Sequence, residues 1–150
     1  MPLIPEQHKK HIREEFASLQ NPVRMVVFTQ EMECQFCRET RELAQEVAEL
    51  SDKISVEVYD FVKDAKKAAE YGIDKVPALT VVGKRDYGVR YYGIPAGYEF
   101  GTLVSDLKMV SKGSTEISEK SRAKLASVNS AVHIQVFVTP TCPYCPMAVS

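Results

Sequence analysis

The feature that most constrains this chain is a C-x-x-C pair placed between a strand pattern and a helix pattern. Residues 23–29, VRMVVFT, are mostly apolar and β-branched, which indicates a buried strand. Cys34 and Cys37, the first pair, follow, and residues 35–50 carry apolar side chains from Phe36 onward at helical spacing. A thiol at a helix N-terminus has a lowered pKa, because backbone N–H groups and the helix dipole stabilise its thiolate. The pattern therefore predicts Cys34 as a nucleophile and Cys37, one turn along, as the resolving thiol.

The remaining patterns predict an α/β fold with a mixed four-stranded sheet flanked by helices. They place helices at residues 6–20, 63–71 and 98–112, and strands at residues 54–60, 78–83 and 88–93. Strand–helix–strand order implies a right-handed parallel crossover. The short polar turn at residues 84–86 implies an antiparallel hairpin.

The same pattern begins again after Gly113. Residues 118–128 are predicted to be helical, residues 132–138, VHIQVFV, are predicted to be a strand, and the second pair, Cys142 and Cys145, follows. We expect a unit at residues 1–113, and at residues 114–150 a linker helix and the start of a second, incomplete unit of the same kind.

The predicted strand at residues 132–138 lacks neighbours within its own unit. We therefore expect it to pair with an edge of the first sheet or with another chain, because an apolar unpaired edge is an aggregation hazard. No proline follows Pro146, and the helix after Cys142 is short. Short helices are marginal in water, so the second pair is expected to be the weaker site in this chain.

Composition narrows the surroundings in which these cysteines act. A net charge of -1 produces no strong field for nucleic acid or anionic membranes. No apolar run reaches the roughly 18–20 residues of a membrane span, and the first residues lack a signal-peptide pattern. These features predict a cytoplasmic protein, in which C-x-x-C pairs favour redox chemistry or metal binding over structural disulfides.

Zinc binding is the alternative from a different functional class. Two C-x-x-C pairs could supply four thiolates to one structural zinc ion in an adaptor protein. Zinc ribbons usually hold their pairs about 15–20 residues apart, whereas here each pair opens a helix of its own. Metal analysis of the reduced protein would separate the two functions.

Val76-Pro77, between a short helix pattern and an apolar strand pattern, completes a recognisable order. Strand, C-x-x-C, helix, strand, helix and proline in this order resemble the thioredoxin or glutaredoxin fold. That resemblance implies that the Val76–Pro77 bond is cis and lies beside Cys34 and Cys37. It also implies that Val76 and Pro77 bind the backbone of a substrate.

The whole chain is similar to the glutaredoxin-like protein disulfide oxidoreductases of hyperthermophiles, which carry two thioredoxin-fold units in tandem. The similar stretches are residues 75–77, 86–91, 93–97 and 142–146. The resemblance implies a thermophile enzyme that reduces, forms or isomerises protein disulfides through Cys34, Cys37, Cys142 and Cys145. It implies no bound cofactor other than redox-active disulfides, protein disulfide or dithiol substrates, a thioredoxin-reductase-like flavoprotein as electron donor, and a peroxiredoxin as a further partner.

A glutathione-dependent glutaredoxin is a second alternative, because C-P-Y-C at the second pair also resembles that class. Glu31 and Glu33 beside Cys34 argue against an anionic tripeptide there, and their charges oppose thiolate formation. Thioredoxins carry a buried acid six residues before the first cysteine. Phe28 and Val136 hold those positions here, so proton handling is expected to resemble that of glutaredoxin.

Overall fold

A computed structural model describes residues 2–150 of the chain. Its helices and strands are α1 (Glu6–Phe16), β1 (Val23–Thr29), α2 (Cys37–Ala48), β2 (Ile54–Asp60), α3 (Ala65–Glu70), β3 (Ala78–Val82), β4 (Asp86–Tyr92), α4 (Glu99–Lys112), α5 (Glu119–Leu125) and α6 (Cys145–Val149). Across residues 2–150, no helix combines the length and the apolar character needed to cross a membrane.

The four strands form one mixed sheet in the order β2-β1-β3-β4. β1 and β2 are parallel, whereas β3 is antiparallel to both β1 and β4. The α2 crossover joins the parallel strands, and a short turn joins β3 to β4. The predicted mixed four-stranded sheet with flanking helices is confirmed.

The larger core lies on one face of the sheet. Alternate side chains of the two central strands, such as Met25 and Leu79, point toward this face and are fully buried. Helices α1, α2 and α4 cover it with apolar side chains that include Phe16, Val47 and Leu107. This packing fixes the start of α2 against the end of β1.

The other face of the sheet carries a smaller core beneath the short helix α3. Phe28 of β1 is fully buried there, and its ring stacks on Tyr59 with 5.7 Å between centroids. Ala68 of α3 and Ile73 pack against the same cluster. The position six residues before Cys34 is therefore filled by an aromatic side chain in van der Waals packing.

Residues 131–139 have no strand structure, and the prediction of a strand at residues 132–138 is wrong for this structure. The expected pairing with the first sheet is also wrong, since that sheet consists of β1 to β4. Phe137 is 91% exposed, and Ile134 is exposed too. A strand needs a neighbouring strand to satisfy its backbone N–H and C=O groups, and these residues have none within the described part of the chain.

The helix predicted at residues 118–128 is present as α5. Its first turn is capped by Ser118, whose hydroxyl oxygen accepts a hydrogen bond from the Ser121 N–H at 3.1 Å. Before it, α4 ends at Lys112 and is capped by Gly113, which adopts the left-handed conformation with φ of 73°. The division into units at residues 1–113 and 114–150 stays a prediction.

Candidate functional site

The first pair is a disulfide bond at the start of α2. Cys34 and Cys37 are bonded, with their Cα atoms 5.5 Å apart. The helix begins at Cys37 rather than at residue 35, because Phe36 has non-helical φ and ψ angles of -122° and 14°. Cys37 is only 3% exposed, whereas Cys34 is partly exposed. A sulfur atom from another protein therefore meets Cys34 first.

A backbone hydrogen bond reaches the buried sulfur of this pair. The N–H of Gln30 donates to Cys37 Sγ at 3.3 Å, and the Gln30 side chain donates to the Met32 carbonyl at 2.7 Å. Glu33 adopts a positive φ of 56°, which turns the chain just before Cys34. When the disulfide opens, the Gln30 N–H is placed to stabilise negative charge on the Cys37 sulfur.

The loop before Cys34 carries two acidic side chains with a large apolar side chain between them. Glu31 and Glu33 are exposed, and Met32 between them is 78% exposed. Phe36 is 43% exposed, so its predicted place on the apolar helix face is wrong. It precedes the first helical residue, and its side chain is therefore not carried round to the core.

The Val76–Pro77 peptide bond is cis, as the resemblance implies. Pro77 is buried, and its carbonyl accepts a hydrogen bond from the Gly93 N–H at 2.9 Å. Because Ala78 pairs with Phe28, Pro77 lies at the same end of the two central strands as Gln30, the donor to Cys37. Direct contact between Pro77 and the two sulfurs, and substrate binding by Val76 and Pro77, stay predictions.

The second pair consists of two free thiols, both partly exposed. A hydrogen bond from the Cys145 thiol lowers the pKa of Cys142, and the N–H groups of Tyr144 and Cys145 lower it further. The same thiol–thiolate bond raises the pKa of Cys145. This asymmetry favours Cys142 as the thiolate of the pair.

The second pair is docked on the start of α4. The Tyr98 N–H donates to the Pro140 carbonyl at 3.2 Å, and Gly97 lies directly against the same carbonyl. The next residue, Glu99, has a carboxylate whose negative charge helps to raise the pKa of Cys145. Partial burial raises the pKa of Glu99 itself.

Sequence analysis did not identify Glu99 as a site residue. It stands far from the second pair along the chain and belongs to no recognisable motif. Its role depends on the docking of the Pro140 segment onto α4, which no local pattern signals.

The structure does not bring the two pairs together into one metal site. Within residues 2–150, no group of three or more His, Cys, Asp or Glu side chains is arranged to hold a metal ion. The four-thiolate cluster that the zinc alternative requires is therefore not formed by the described residues. What the structure assembles instead is one disulfide and one asymmetric dithiol.

Comparisons with known proteins agree with this geometry. The sequence profile of the thioredoxin domain matches residues 24–105. The fold is similar to the crystal structure of a protein disulfide oxidoreductase from Aeropyrum pernix, with a TM-score of 0.88 and 31% identity over 97% of this chain and 64% of that chain.

Two curated proteins are also similar. One, named a probable thioredoxin, from Methanothermobacter marburgensis, is 36% identical over 85 residues, which are 56% of this chain and 94% of that protein. The other, an alkyl hydroperoxide reductase component from Staphylococcus aureus, is 25% identical over 112 residues, which are 75% of this chain and 20% of that protein. The chain thus spans about a fifth of the length of the larger curated relatives.

Proposed function

Because this chain belongs to the thioredoxin-domain family, we propose that it is a thiol–disulfide oxidoreductase that reduces, forms or isomerises disulfides in other proteins. The observation that carries the proposal is the Cys34–Cys37 disulfide, with one partly exposed sulfur and one buried sulfur at the start of a helix. The likeness of the whole fold to that of the Aeropyrum pernix protein disulfide oxidoreductase supports the same chemistry.

In the reducing direction the first pair begins as a dithiol. The Cys34 thiolate attacks one sulfur of a protein disulfide, a mixed disulfide forms, and the other substrate sulfur leaves as a thiolate. The Cys37 thiolate then attacks Cys34 Sγ, which restores the Cys34–Cys37 disulfide and releases the second substrate thiolate. Two electrons pass to the substrate, whose thiolates take protons from water. The reverse sequence forms a disulfide.

Neighbouring residues have distinct roles in this scheme. The Gln30 N–H stabilises the Cys37 thiolate before it attacks, since it already donates to that sulfur. Val76 and Pro77, at the same end of the central strands, bind the substrate backbone.

The second pair follows the same scheme. Cys142, whose pKa is lowered, attacks, and Cys145 resolves the mixed disulfide. The negative charge of Glu99 helps to raise the pKa of Cys145 and so favours the thiol form of that residue before it attacks.

The partners follow from the chemistry and from the relatives. Substrates are protein disulfides or dithiols, and the carriers of electrons within the chain are its redox-active cysteine pairs, without a further bound cofactor. The likeness to an alkyl hydroperoxide reductase component supports a flavoprotein of the thioredoxin-reductase kind as electron donor and a peroxiredoxin as acceptor. We propose a cytoplasmic location, where C-x-x-C pairs favour redox chemistry over structural disulfides.

Insulin disulfide reduction with dithiothreitol tests the proposal in four variants. We expect Cys34→Ser to abolish the contribution of the first pair and Cys142→Ser that of the second. In a reaction without dithiothreitol, prereduced Cys37→Ser should instead trap a mixed disulfide with insulin that survives non-reducing denaturing electrophoresis, because the resolving thiol of the first pair is missing. Ser18→Ala, at an exposed position in the turn after α1, is the control.

Brief alkylation of the reduced protein tests the order of the two sulfurs. Label should enter Cys34 faster than Cys37, because Cys34 is partly exposed and Cys37 is buried. Faster labelling of Cys37, or a Cys34→Ser variant that traps insulin while Cys37→Ser does not, would reverse the assignment. Wild-type activity no greater than that of dithiothreitol alone would remove the proposed function.

A further inference from the structure

Resting on the proposed disulfide exchange, we propose that the first pair selects partner cysteines that are flanked by Lys or Arg, and that Glu31 and Glu33 make this selection. The partner chemistry is a cationic polypeptide segment with an apolar side chain near its cysteine. The two acids bind nothing by themselves. They act on a partner that reaction with Cys34 has already brought close.

Three cations in the segments that follow β1, β2 and α3 already pair with acidic side chains. Arg38 donates to Glu42 at 2.8 Å, and Glu42 lies one turn further along α2, so the positive charge of Arg38 is balanced there. At the same end of the sheet, Lys63 and Lys75 lie 4.0 Å and 2.6 Å from Asp60 and Asp74, respectively.

Glu31 and Glu33 lack such partners. Neither takes part in any ion pair among residues 2–150, and both are exposed. Two uncompensated negative charges therefore stand within three residues before the exposed sulfur.

The charges of Glu31 and Glu33 act on a partner because disulfide exchange brings the partner close to them. For exchange, the partner's sulfur must reach bonding distance of Cys34 Sγ, which is the exposed sulfur of the pair. Residues one or two positions from the partner's cysteine then lie within roughly 3.5–7 Å of it along an extended backbone. Glu33 is the residue next to Cys34 and Glu31 is three residues before it, so the separation between these partner charges and the two carboxylates is of the order of the screening length, about 10 Å at 0.1 M salt, and the charges interact.

The apolar side chains of the loop complete the recognition surface. Met32 stands between the two acids, and Phe36 stands between the two cysteines. Both are exposed although they are large and apolar. An apolar side chain of the partner can cover them, while Lys or Arg on either side of its cysteine meets the carboxylates.

Reaction rates with short activated peptides test this selection. The probe peptides contain Lys-Cys-Lys, Ser-Cys-Ser or Glu-Cys-Glu, each activated with the same neutral thiopyridyl leaving group. The reduced 150-residue chain carries Cys142→Ser and Cys145→Ser, so that only the first pair reacts. We expect the Lys peptide to react roughly tenfold faster than the Glu peptide at low salt, because each exposed charge pair contributes a factor of about two to five.

Two double variants assign the preference to the acids beside Cys34. Glu31→Gln with Glu33→Gln should bring the three rates within about twofold of one another, as should 1 M salt, where screening acts over about 3 Å. Glu14→Gln with Glu119→Gln changes the net charge equally at exposed positions away from the pair and should keep the preference. The ratio between peptides cancels any effect of a substitution on the thiolate fraction of Cys34.

Each outcome bears on a different claim. Equal, rapid reaction of all three peptides would overturn the selection but leave the oxidoreductase function intact. A preference that survives Glu31→Gln with Glu33→Gln, or that is lost equally in the distant double variant, would also overturn it. Reaction of the Ser peptide no faster than with free cysteine would instead remove the proposed function.

Discussion

Gly97 lies against the segment that carries the second pair, and Gly97→Ala is expected to release that segment. Gly97 has a positive φ of 62°, and an added Cβ would overlap the Pro140 carbonyl oxygen and lie 3.2 Å from its carbonyl carbon. The segment must move away, and the hydrogen bond from the Tyr98 N–H to the Pro140 carbonyl is then lost.

The expected effect has two separable parts. A left-handed conformation raises the free energy of an L-residue by about 1–2 kcal/mol, which lowers the free energy of unfolding by that amount. Loss of the Tyr98–Pro140 hydrogen bond removes a further 0.5–1.5 kcal/mol, roughly, from the docking of the segment. The first part depends on φ alone, and the second depends on the contact with Pro140.

Substitutions at two other glycines are controls for the two parts of this effect. Gly72 has a φ of 64° with no atom within 4 Å of an added Cβ, so Gly72→Ala has the conformational part alone. Gly101, inside α4, also has open space around it. Gly101→Ala should raise the free energy of unfolding by about 0.5–1 kcal/mol through helix propensity.

Urea unfolding and timed alkylation of the second pair measure both parts. Gly97→Ala and Gly72→Ala should both lower the free energy of unfolding, whereas only Gly97→Ala should speed alkylation of Cys142 and Cys145 by several-fold. Unchanged alkylation in Gly97→Ala would refute the reasoning, and so would equal acceleration in Gly72→Ala.

Two further substitutions test the packing and the charge of β4. The Tyr91 hydroxyl donates a hydrogen bond to Asp106, which is 8% exposed, so Tyr91→Phe should lower the free energy of urea unfolding by about 1–3 kcal/mol; an unchanged value would contradict this. The hydrogen bond from Arg90 lowers the pKa of Asp86, so this group stabilises the fold above its unfolded pKa of about 3.9, and the contribution is lost as pH falls through the lower folded pKa. Thermal melting from pH 6 to 2 should therefore show a smaller loss in Asp86→Asn than in the wild type, and parallel curves would contradict it.

Sequence patterns predict both parallel strands, although β1 is central in the sheet and β2 lies at an edge. The bounds predicted for β1 and β2, residues 23–29 and 54–60, are those of the structure. β1 is almost fully apolar and lies between two other strands, so its pattern and its environment agree. β4 lies at an edge and is half-buried, and its start is at Asp86 rather than at residue 88.

Features that depend on distant parts of the chain are not predictable from local patterns. The alternating stretch at residues 132–138 has the composition of a strand, but strand structure also requires a neighbour with free backbone groups. The proximity of Glu99 to Cys145 arises from docking between segments that are far apart along the chain. At the first pair, the helix start shifted to Cys37 because two exposed side chains, those of Gln35 and Phe36, gain no burial from joining the helix.

The unequal exposure of Cys34 and Cys37 also determines how the first pair responds to peroxides. In the reduced state an oxidant from solvent reaches Cys34 and converts its thiolate to a sulfenic acid. Cys37, three residues away, then condenses with that sulfenic acid, releases water and forms the same disulfide that exchange with a protein produces. Since this step is intramolecular, it competes with further oxidation of Cys34 to the irreversible sulfinic acid. The buried thiol thus protects its exposed neighbour from permanent oxidative damage.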